Sequence, residues 1–473
     1  MSSSRHPRFP CLQTPEDGPD ARLLGLYDQR QDGYLLQRLK LPAGRLSLPQ
    51  WRAVARAALR WSRYGRLHLT TRQDLEIHGL TSETVPALQR ALHQAALSTV
   101  GAAGDTPRNL TLCPECGLKP GGFDLLPLAS ALQRAMDAMP GIYRLPRKFK
   151  ISFSGCLRPC ARPWINDLGF VAHADGTFQV IVGGSLGAPS GTGIRWYGRL
   201  RLDEVIPFAV GTLRLFEAEG DRERRSRARL RHVRERLGDA RFRQCLEATF
   251  HAAKREPVPS VPALKPCDGP QPALTRVHIP RGNLHGHDAL NLIERVARHK
   301  GEIRIGLEHD LLMVGLTPDQ LPAPFIDLVD APRIIACPGA HTCTRGLAST
   351  WDMAEALRRA LPARADLMVG ISGCPNHCAH STVADIGLVG TVKRHGGKPR
   401  PCYRLLAGGG RGECPLLARQ LHPAVPGDRI EAVIRTFVDQ WAAGLPDRSL
   451  PFTIFIEREH RTLQSLIARQ CPS

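Results

Sequence analysis

Tyr64-Gly-Arg-Leu-His-Leu-Thr-Thr-Arg-Gln-Asp-Leu-Glu-Ile-His-Gly-Leu80 reads as two short alternating strands around a polar turn. Lys300-Gly-Glu-Ile-Arg-Ile-Gly-Leu-Glu-His-Asp-Leu-Leu-Met-Val-Gly-Leu316 gives the same reading 236 residues on. Upstream, Arg38-Leu-Lys-Leu-Pro-Ala-Gly-Arg-Leu46 returns as Arg276-Val-His-Ile-Pro-Arg-Gly-Asn-Leu284. Downstream, Ser154-Gly-Cys-Leu-Arg-Pro-Cys160 through Asp167-Leu-Gly169 returns as Ser372-Gly-Cys-Pro-Asn-His-Cys378 through Asp385-Ile-Gly387. Self-similarity at near-constant spacing marks a duplicated chain. Two copies of one unit pack with pseudo-twofold symmetry, and a ligand between them would sit on the approximate axis.

The boundary lies in the proline-dense stretch Glu256-Pro-Val-Pro-Ser-Val-Pro-Ala-Leu-Lys-Pro-Cys-Asp-Gly-Pro-Gln-Pro272, which cannot be helical. Each half opens with a strand-rich segment carrying one amphipathic helix, at Leu48 and at His287, and continues into a longer α/β segment. The expected class is α+β. The expected units are 25–85, 86–255, a linker over 256–274, 275–325 and 326–473.

Four cysteines carry the chemistry: Cys337-Pro-Gly-Ala-His-Thr-Cys343, then thirty residues, then Cys374-Pro-Asn-His-Cys378. Four thiolates in two close pairs suit a tetrahedral zinc or a 4Fe–4S cluster. A five-residue gap followed by a distant three-residue gap is a poor zinc knuckle. The first half echoes the pattern with Cys113-Pro-Glu-Cys116 and Cys156-Leu-Arg-Pro-Cys160, either relics of the duplication or a second metal site. Cys11, Cys245, Cys267, Cys402, Cys414 and Cys471 show no ligand spacing. The N-terminus lacks the apolar core of a signal peptide, no run of about eighteen apolar residues occurs, and a reducing cytoplasm is the expected compartment.

The net charge is +20, which admits nucleic acid, an acidic protein or a small anion as partner. The densest run, Arg222 to Arg236, carries no interleaved aromatic side chains for base stacking, so nucleic acid is not expected. Its reading is a solvated helix face, or a docking face for an acidic electron donor. In Leu145-Pro-Arg147-Lys148-Phe149-Lys150 an alternating strand puts Lys148 and Lys150 on one face, where two ammonium groups repel unless an anion relieves them. Gly104-Asp-Thr-Pro-Arg108-Asn109, Thr70-Thr-Arg72-Gln73 and Arg38 add cations at turns and on a strand.

These cationic strings, in this order, together with the Cys337 to Cys378 spacing, resemble the sirohaem- and 4Fe–4S-containing nitrite and sulfite reductases over residues 30–445. The resemblance implies two ferredoxin-like half-domains plus two α/β sirohaem- and cluster-binding domains. It implies that Cys337, Cys343, Cys374 and Cys378 ligate the cluster, with Cys378 also joining it to the sirohaem iron. Arg38, Arg108, Lys148 and Lys150 would line the catalytic anion pocket. Arg72 and Arg147 would pair with sirohaem carboxylates, and Gln73, Asn109 and Asn376 would also contact the cofactors. The glycine-rich stretches after Val182 and Leu406 would pass over the macrocycle. His68, where the family often has arginine, and His377, where a small residue is common, depart from the pattern.

The implied reaction is the six-electron reduction of sulfite to sulfide, fed by a ferredoxin-like or flavoprotein donor, because the chain shows no nicotinamide or flavin fingerprint. Sulfite is favoured over nitrite by departures from the plant-type nitrite reductases around Cys337 to Cys343. The alternatives are nitrite reduction to ammonia and a precorrin-3B synthase-like enzyme, whose family tends to lose the paired lysines. A cluster-carrying scaffold subunit and a zinc-bound nucleic-acid module complete the set.

Overall fold

The two Pro-x-Gly turns, Pro42-Ala43-Gly44 and Pro280-Arg281-Gly282, cross the molecule where its halves exchange backbone. A computed structural model describes residues 21–362, 367–395, 398–412, 415–443 and 451–470. Ala43 and Arg281 both take left-handed φ, 59° and 58°, which throws the chain sideways. A side chain at Gly44 would meet the Ile305 carbonyl at 2.8 Å, and one at Gly282 would meet the Leu69 carbonyl at 2.9 Å, so each glycine lies against the opposite half. Past the second turn, Asn283–His285 joins Arg66–Leu69 as an antiparallel strand. Past the first, Arg45 makes the equivalent antiparallel bridge to Arg304.

The two strand-rich segments therefore form one body. Leu26–Asp28, Leu35–Leu39, Leu75–Leu80 and Arg66–Leu69 build one antiparallel sheet, closed by the visiting Asn283–His285. Leu274–His278, Asp310–Val314 and Glu302–Ile305 build the other. Helices Leu48–Trp61 and Gly286–Arg298 cover them, the first capped by Ser47 and Gln50 in a capping box. A single core runs through both sheets, from Leu39, Trp51 and Ile77 to Val277, Ile293 and Met313, and helix Val85–Gln94 with Leu97 belongs to it.

Each half then adds a five-stranded sheet of the same topology. In the first, Thr111–Leu112, Ile151–Ser154 and Leu168–Ala172 run parallel, and Phe178–Val182 and Ile194–Leu200 return antiparallel. In the second, Arg333–Ala336, Met368–Ser372 and Ile386–His395 run parallel, followed by Lys398–Ala407 and Arg419–Pro426. The halves match down to single hydrogen bonds. Asp167 Oδ2 accepts the Lys150 N–H at 2.8 Å and Asp385 Oδ2 the Met368 N–H at 2.8 Å. Ser154 Oγ accepts from Ala161 N and Ser372 Oγ from Ala379 N, both at 3.1 Å. This is the expected α+β duplication. The proline-rich connection is extended and pinned where Cys267 exchanges backbone hydrogen bonds with Gly121 and Gly122. Among the described residues no helix is long and apolar enough to cross a membrane.

One expectation is corrected. The Arg222 to Arg236 run is not one helix, and only part of it is a solvated face: residues 222–227, Glu235 and Arg236 are exposed, while Ala228, Arg229, Leu230, His232 and Val233 are buried. It breaks into the short turn Arg225–Arg227 and helix Leu230–Leu237. Arg229 turns inward to a buried pair with Asp167 at 2.5 Å, Arg225 reaches Asp105 at 2.8 Å, and Arg231 donates to Ser185 Oγ at 2.8 Å. The buried Asp167 carboxylate outcompetes water for the Arg229 guanidinium, whereas the Arg225 side chain stays more than half exposed.

The first glycine-rich stretch has a packing reason of its own. A Cβ at Gly184 would stand 2.1 Å from the Trp164 carbonyl oxygen, whereas Gly187 has nothing within 4 Å. Gly184→Ala is therefore expected to destabilise the protein by about 1–3 kcal/mol through overpacking, while Gly187→Ala stays near neutral. Urea denaturation of the two variants side by side checks this, and equal midpoints would refute the close approach.

Candidate functional site

Arg162 and His380 occupy equivalent places, two residues after Cys160 and Cys378, and both take left-handed φ, 56° and 58°. They are hydrogen-bonded to each other, which puts the pseudo-twofold axis between them. A cleft opens beside this contact, lined by Thr71, Arg72, Lys150, Arg162 and Asn166 of the first half and by His380 of the second.

The cationic side comes from the first half. Lys148 and Lys150 stand on extended backbone just before strand Ile151–Ser154, with Phe149 between them bridged to Pro107. That bridge zips the Arg108 loop alongside them, Arg108 N donating to Phe149 O at 2.8 Å. The Arg108 guanidinium is aimed by the Ala102 and Gly104 carbonyls, at 3.0 and 2.8 Å. Among the described residues neither lysine ammonium has a protein hydrogen-bond acceptor. Burial and then the Arg108 and Arg229 charges lower the Lys148 pKa to about 7. Burial, Arg72 and Lys148 lower Lys150 well below the usual lysine value. Cys378 of the second half acts on both lysines in the opposite sense, so the cysteine loop lies near the cationic strand.

Arg38 is placed by strand register. It pairs across the sheet with Glu76, whose Oε1 takes both Nε at 2.8 Å and Nη2 at 2.6 Å. The other Glu76 oxygen accepts from His78 Nε2 at 2.8 Å, and His78 Nδ1 meets Thr342 Oγ1 at 3.1 Å, next to Cys343. Arg38 holds Glu76 ionised and far below the usual carboxylate range, against the burial that opposes this.

The cysteine side comes from the second half but is gripped by the first. Thr71 Oγ1 donates to the Cys378 carbonyl at 2.9 Å, and Arg30 and Gln31 donate to the Gly346 and His341 carbonyls. Cys337, Cys343 and Cys374 are pushed up first by burial and then by Cys378, so the four sulfurs share one neighbourhood. Gly373 N–H donates to Cys337 Sγ at 3.2 Å, and Asn376 hydrogen-bonds to Cys374. Thiols that raise one another's pKa are stabilised as thiolates by bound metal, so this loop fits a cluster.

The remaining expected residues are engaged by protein. Arg72 Nη1 meets Asn166 Oδ1 at 2.8 Å and Nη2 meets the Asn109 carbonyl at 2.5 Å, while its Nε has no partner and burial lowers its pKa to about 10. Asn109 Nδ2 ties the Leu41 and Arg72 carbonyls and leaves Oδ1 without a partner. Gln73 is fully buried and bonds the Ile305 carbonyl and Leu112 N–H, bridging the halves. Arg147 pairs with Asp105 at 3.0 Å. His68 is buried against Asn283 Oδ1 at 3.0 Å with its pKa lowered to about 4 by burial, and burial does the same to His377. Both rings are neutral, so His68 does not replace the charge of an arginine.

Sequence reading missed Glu76, His78, Asp167 as an anchor, and Arg229. The Arg38–Glu76 pair was readable in principle from hairpin register. Nothing local marks Arg229 among its arginine neighbours.

The description "Nitrite and sulphite reductase 4Fe-4S domain" matches residues 103–254 and 331–448, and "Nitrite/Sulfite reductase ferredoxin-like half domain" matches 27–95. The ferredoxin–nitrite reductase of Synechococcus elongatus is 29% identical over 85% of this chain and 85% of its own length. The sulfite reductase (NADPH) hemoprotein beta-component of Acidithiobacillus ferrooxidans is 30% identical over 80% of this chain and 76% of its own. The solved structure of the Mycobacterium tuberculosis NirA protein superposes with a TM-score of 0.79 at 25% identity, covering 94% of this chain and 90% of that one.

Lys148 carries a pH prediction. A depressed lysine pKa means the ammonium is present below about 7 and lost above it. An anion bound at Lys148 meets the charged form, so anion affinity should fall by up to about tenfold per pH unit above neutrality. Spectral titration from pH 6 to 9 checks this. Lys148→Met should flatten the profile, and a profile unchanged by that substitution would contradict it.

Proposed function

The chain belongs to the nitrite and sulfite reductase family, and we propose that within it the reaction is the six-electron reduction of nitrite to ammonia, fed by a ferredoxin-type donor. The observation that carries this reading is the cleft between the halves, where Lys150 meets His380 of the cysteine loop and where, among the described residues, neither Lys148 nor Lys150 has a protein acceptor for its ammonium group. The choice of nitrite rests on the relatives. Ferredoxin-dependent nitrite reductases recur among them, from cyanobacterium to archaeon and plant. The expectation of sulfite from residues flanking Cys337 to Cys343 has weaker support than its alternative. It stays as the second reading, favoured by the sulfite reductase relative.

Sirohaem and a 4Fe–4S cluster are the cofactors, and when bound they supply electron transfer and the iron at which the anion is reduced. Cys337, Cys343, Cys374 and Cys378 would hold the cluster. Arg147, on releasing Asp105, would bind a macrocycle carboxylate as a planar fork, and Arg72, whose two Nη atoms are held by Asn166 and Asn109, would offer its unpartnered Nε. Gln73 and Asn109 fix the turn that presents Arg72, and Asn376 supports the Cys374 sulfur.

The anion is held by Arg108 and by Arg38, whose direction Glu76 sets. Lys148, with a pKa near neutrality, donates a proton to a departing oxygen and regains one from solvent at little free-energy cost. Lys150 supplies a second N–H donor beside it, fixed in place by the Asp167 anchor on its backbone. The excess of positive charge suits docking of an acidic one-electron carrier.

Turnover of both anions with reduced ferredoxin or viologen dye tests the reading. The expected result is a higher kcat/KM for nitrite, with Lys148→Met lowering kcat by about 10²–10⁴ at unchanged cofactor content. A higher kcat/KM for sulfite would transfer the assignment to that anion. Undiminished turnover in Lys148→Met would remove the lysine from the reaction.

A further inference from the structure

The first-half cysteines are not scattered by the fold. The Sγ atoms of Cys113, Cys156 and Cys160 lie within 4.8 Å of one another. Among the described residues no other trio of histidine, cysteine or carboxylate donors closes to that distance. Each has a counterpart in the second half. Cys113 N donates to Phe153 O at 3.1 Å as Cys337 N does to Ile371 O, and Cys160 precedes Arg162 as Cys378 precedes His380.

The spacing distinguishes the two centres. Sulfurs bound tetrahedrally to one zinc at about 2.3 Å stand about 3.8 Å apart. The first-half sulfurs lie within 4.8 Å of one another, Cys156 and Cys160 through their disulfide, whereas no three of the described second-half cysteines meet that distance. Cys116 does not complete the set. It is buried, with its Sγ 3.2 Å from the Phe123 carbonyl and accepting the Leu125 N–H at 3.3 Å. In the structure Cys156 and Cys160 are joined as a disulfide beside the free Cys113 thiol.

We propose that the reduced trio Cys113, Cys156 and Cys160 binds one thiophilic divalent cation, zinc as reference ion, with the fourth position open to water, and that the disulfide is the metal-free form. Opening the S–S bond takes two electrons and two protons, from a dithiol in the cell or a phosphine in vitro, the reductant leaving as a disulfide or a phosphine oxide. Binding then releases the thiol protons as three S–metal bonds form. Burial raises Cys113 to about 11, so the metal rather than pH makes its thiolate, with Arg276 and Lys119 assisting. The proposed ligands adjoin the cleft, since Ala161 and Arg162 line it directly after Cys160, but nothing in the proposal depends on which anion is reduced.

The test uses the full cofactor-loaded chain, reduced anaerobically with a phosphine and equilibrated with zinc before desalting. Zinc and iron are counted separately. The expected result is about one zinc per chain, lost in Cys113→Ser, Cys156→Ser and Cys160→Ser, kept in Cys116→Ser, with iron unchanged throughout. Zinc-edge X-ray absorption of the wild-type protein should show three sulfurs and one lighter ligand, a readout that needs no variant. Absence of zinc from the reduced wild type, equal retention by all variants, or a shell without three sulfurs would overturn the proposal.

Discussion

Like charges gathered in one recess repel, and this fold holds Arg108, Lys148 and Lys150 together with no carboxylate at the ammonium groups. The strain is visible in the lysines, both driven well below their ordinary pKa by burial and by one another's neighbours. Backbone structure enforces it. Asp167 and Arg229 fix the Lys150 backbone from beneath, and the Pro107–Phe149 bridge locks Arg108 alongside. The lysines relieve this by shedding protons, and an anion bound beside them, whether a macrocycle carboxylate or a small oxyanion, would restore their charge.

The duplication supplies the second half of the site. Because each half lends a strand residue to the other's sheet, the halves cannot move as independent domains. The cysteine loop is consequently placed by residues of the opposite half, through Thr71 on Cys378, His78 on Thr342 and Arg30 and Gln31 beyond. Symmetry was then broken by residue choice. At the position that carries Arg72 in the first half, the second carries Glu308, which pairs with Arg162 and Arg333 near the axis. One half carries the cationic strand and the other the Cys337 to Cys378 loop, while the first-half cysteines keep the places but not the spacing of that loop.

Much of this was legible in the sequence because it is local. Repeated strings with kept spacing reveal duplication, and the Cys337 to Cys378 pattern and the paired lysines report chemistry over short spans. What stayed hidden depends on distant partners. Arg229 looked solvent-facing within its arginine run, and only the buried Asp167 carboxylate, far away in the chain, makes it structural. Gln73 gave no sign that both ends of its amide would be spent bridging the halves. The two expected ferredoxin-like halves share one core, since the exchange of strands at Arg45 and Asn283 is a tertiary event. The convergence of Cys113 with Cys156 and Cys160 likewise required the parallel pairing of Thr111–Leu112 with Ile151–Ser154.

The central claim is that the cationic strand of one half and the cysteine loop of the other enclose a single coupled centre. Its most direct test is an absorbance spectrum with iron and sulfide analysis of anaerobically purified protein, produced in cells able to make sirohaem. The account predicts a Soret band, a red chlorin-type band and about five irons per chain, four of them in the cluster. A cluster spectrum with no chlorin band and only about four irons would contradict it, leaving the cationic cleft without the ligand that its charge requires.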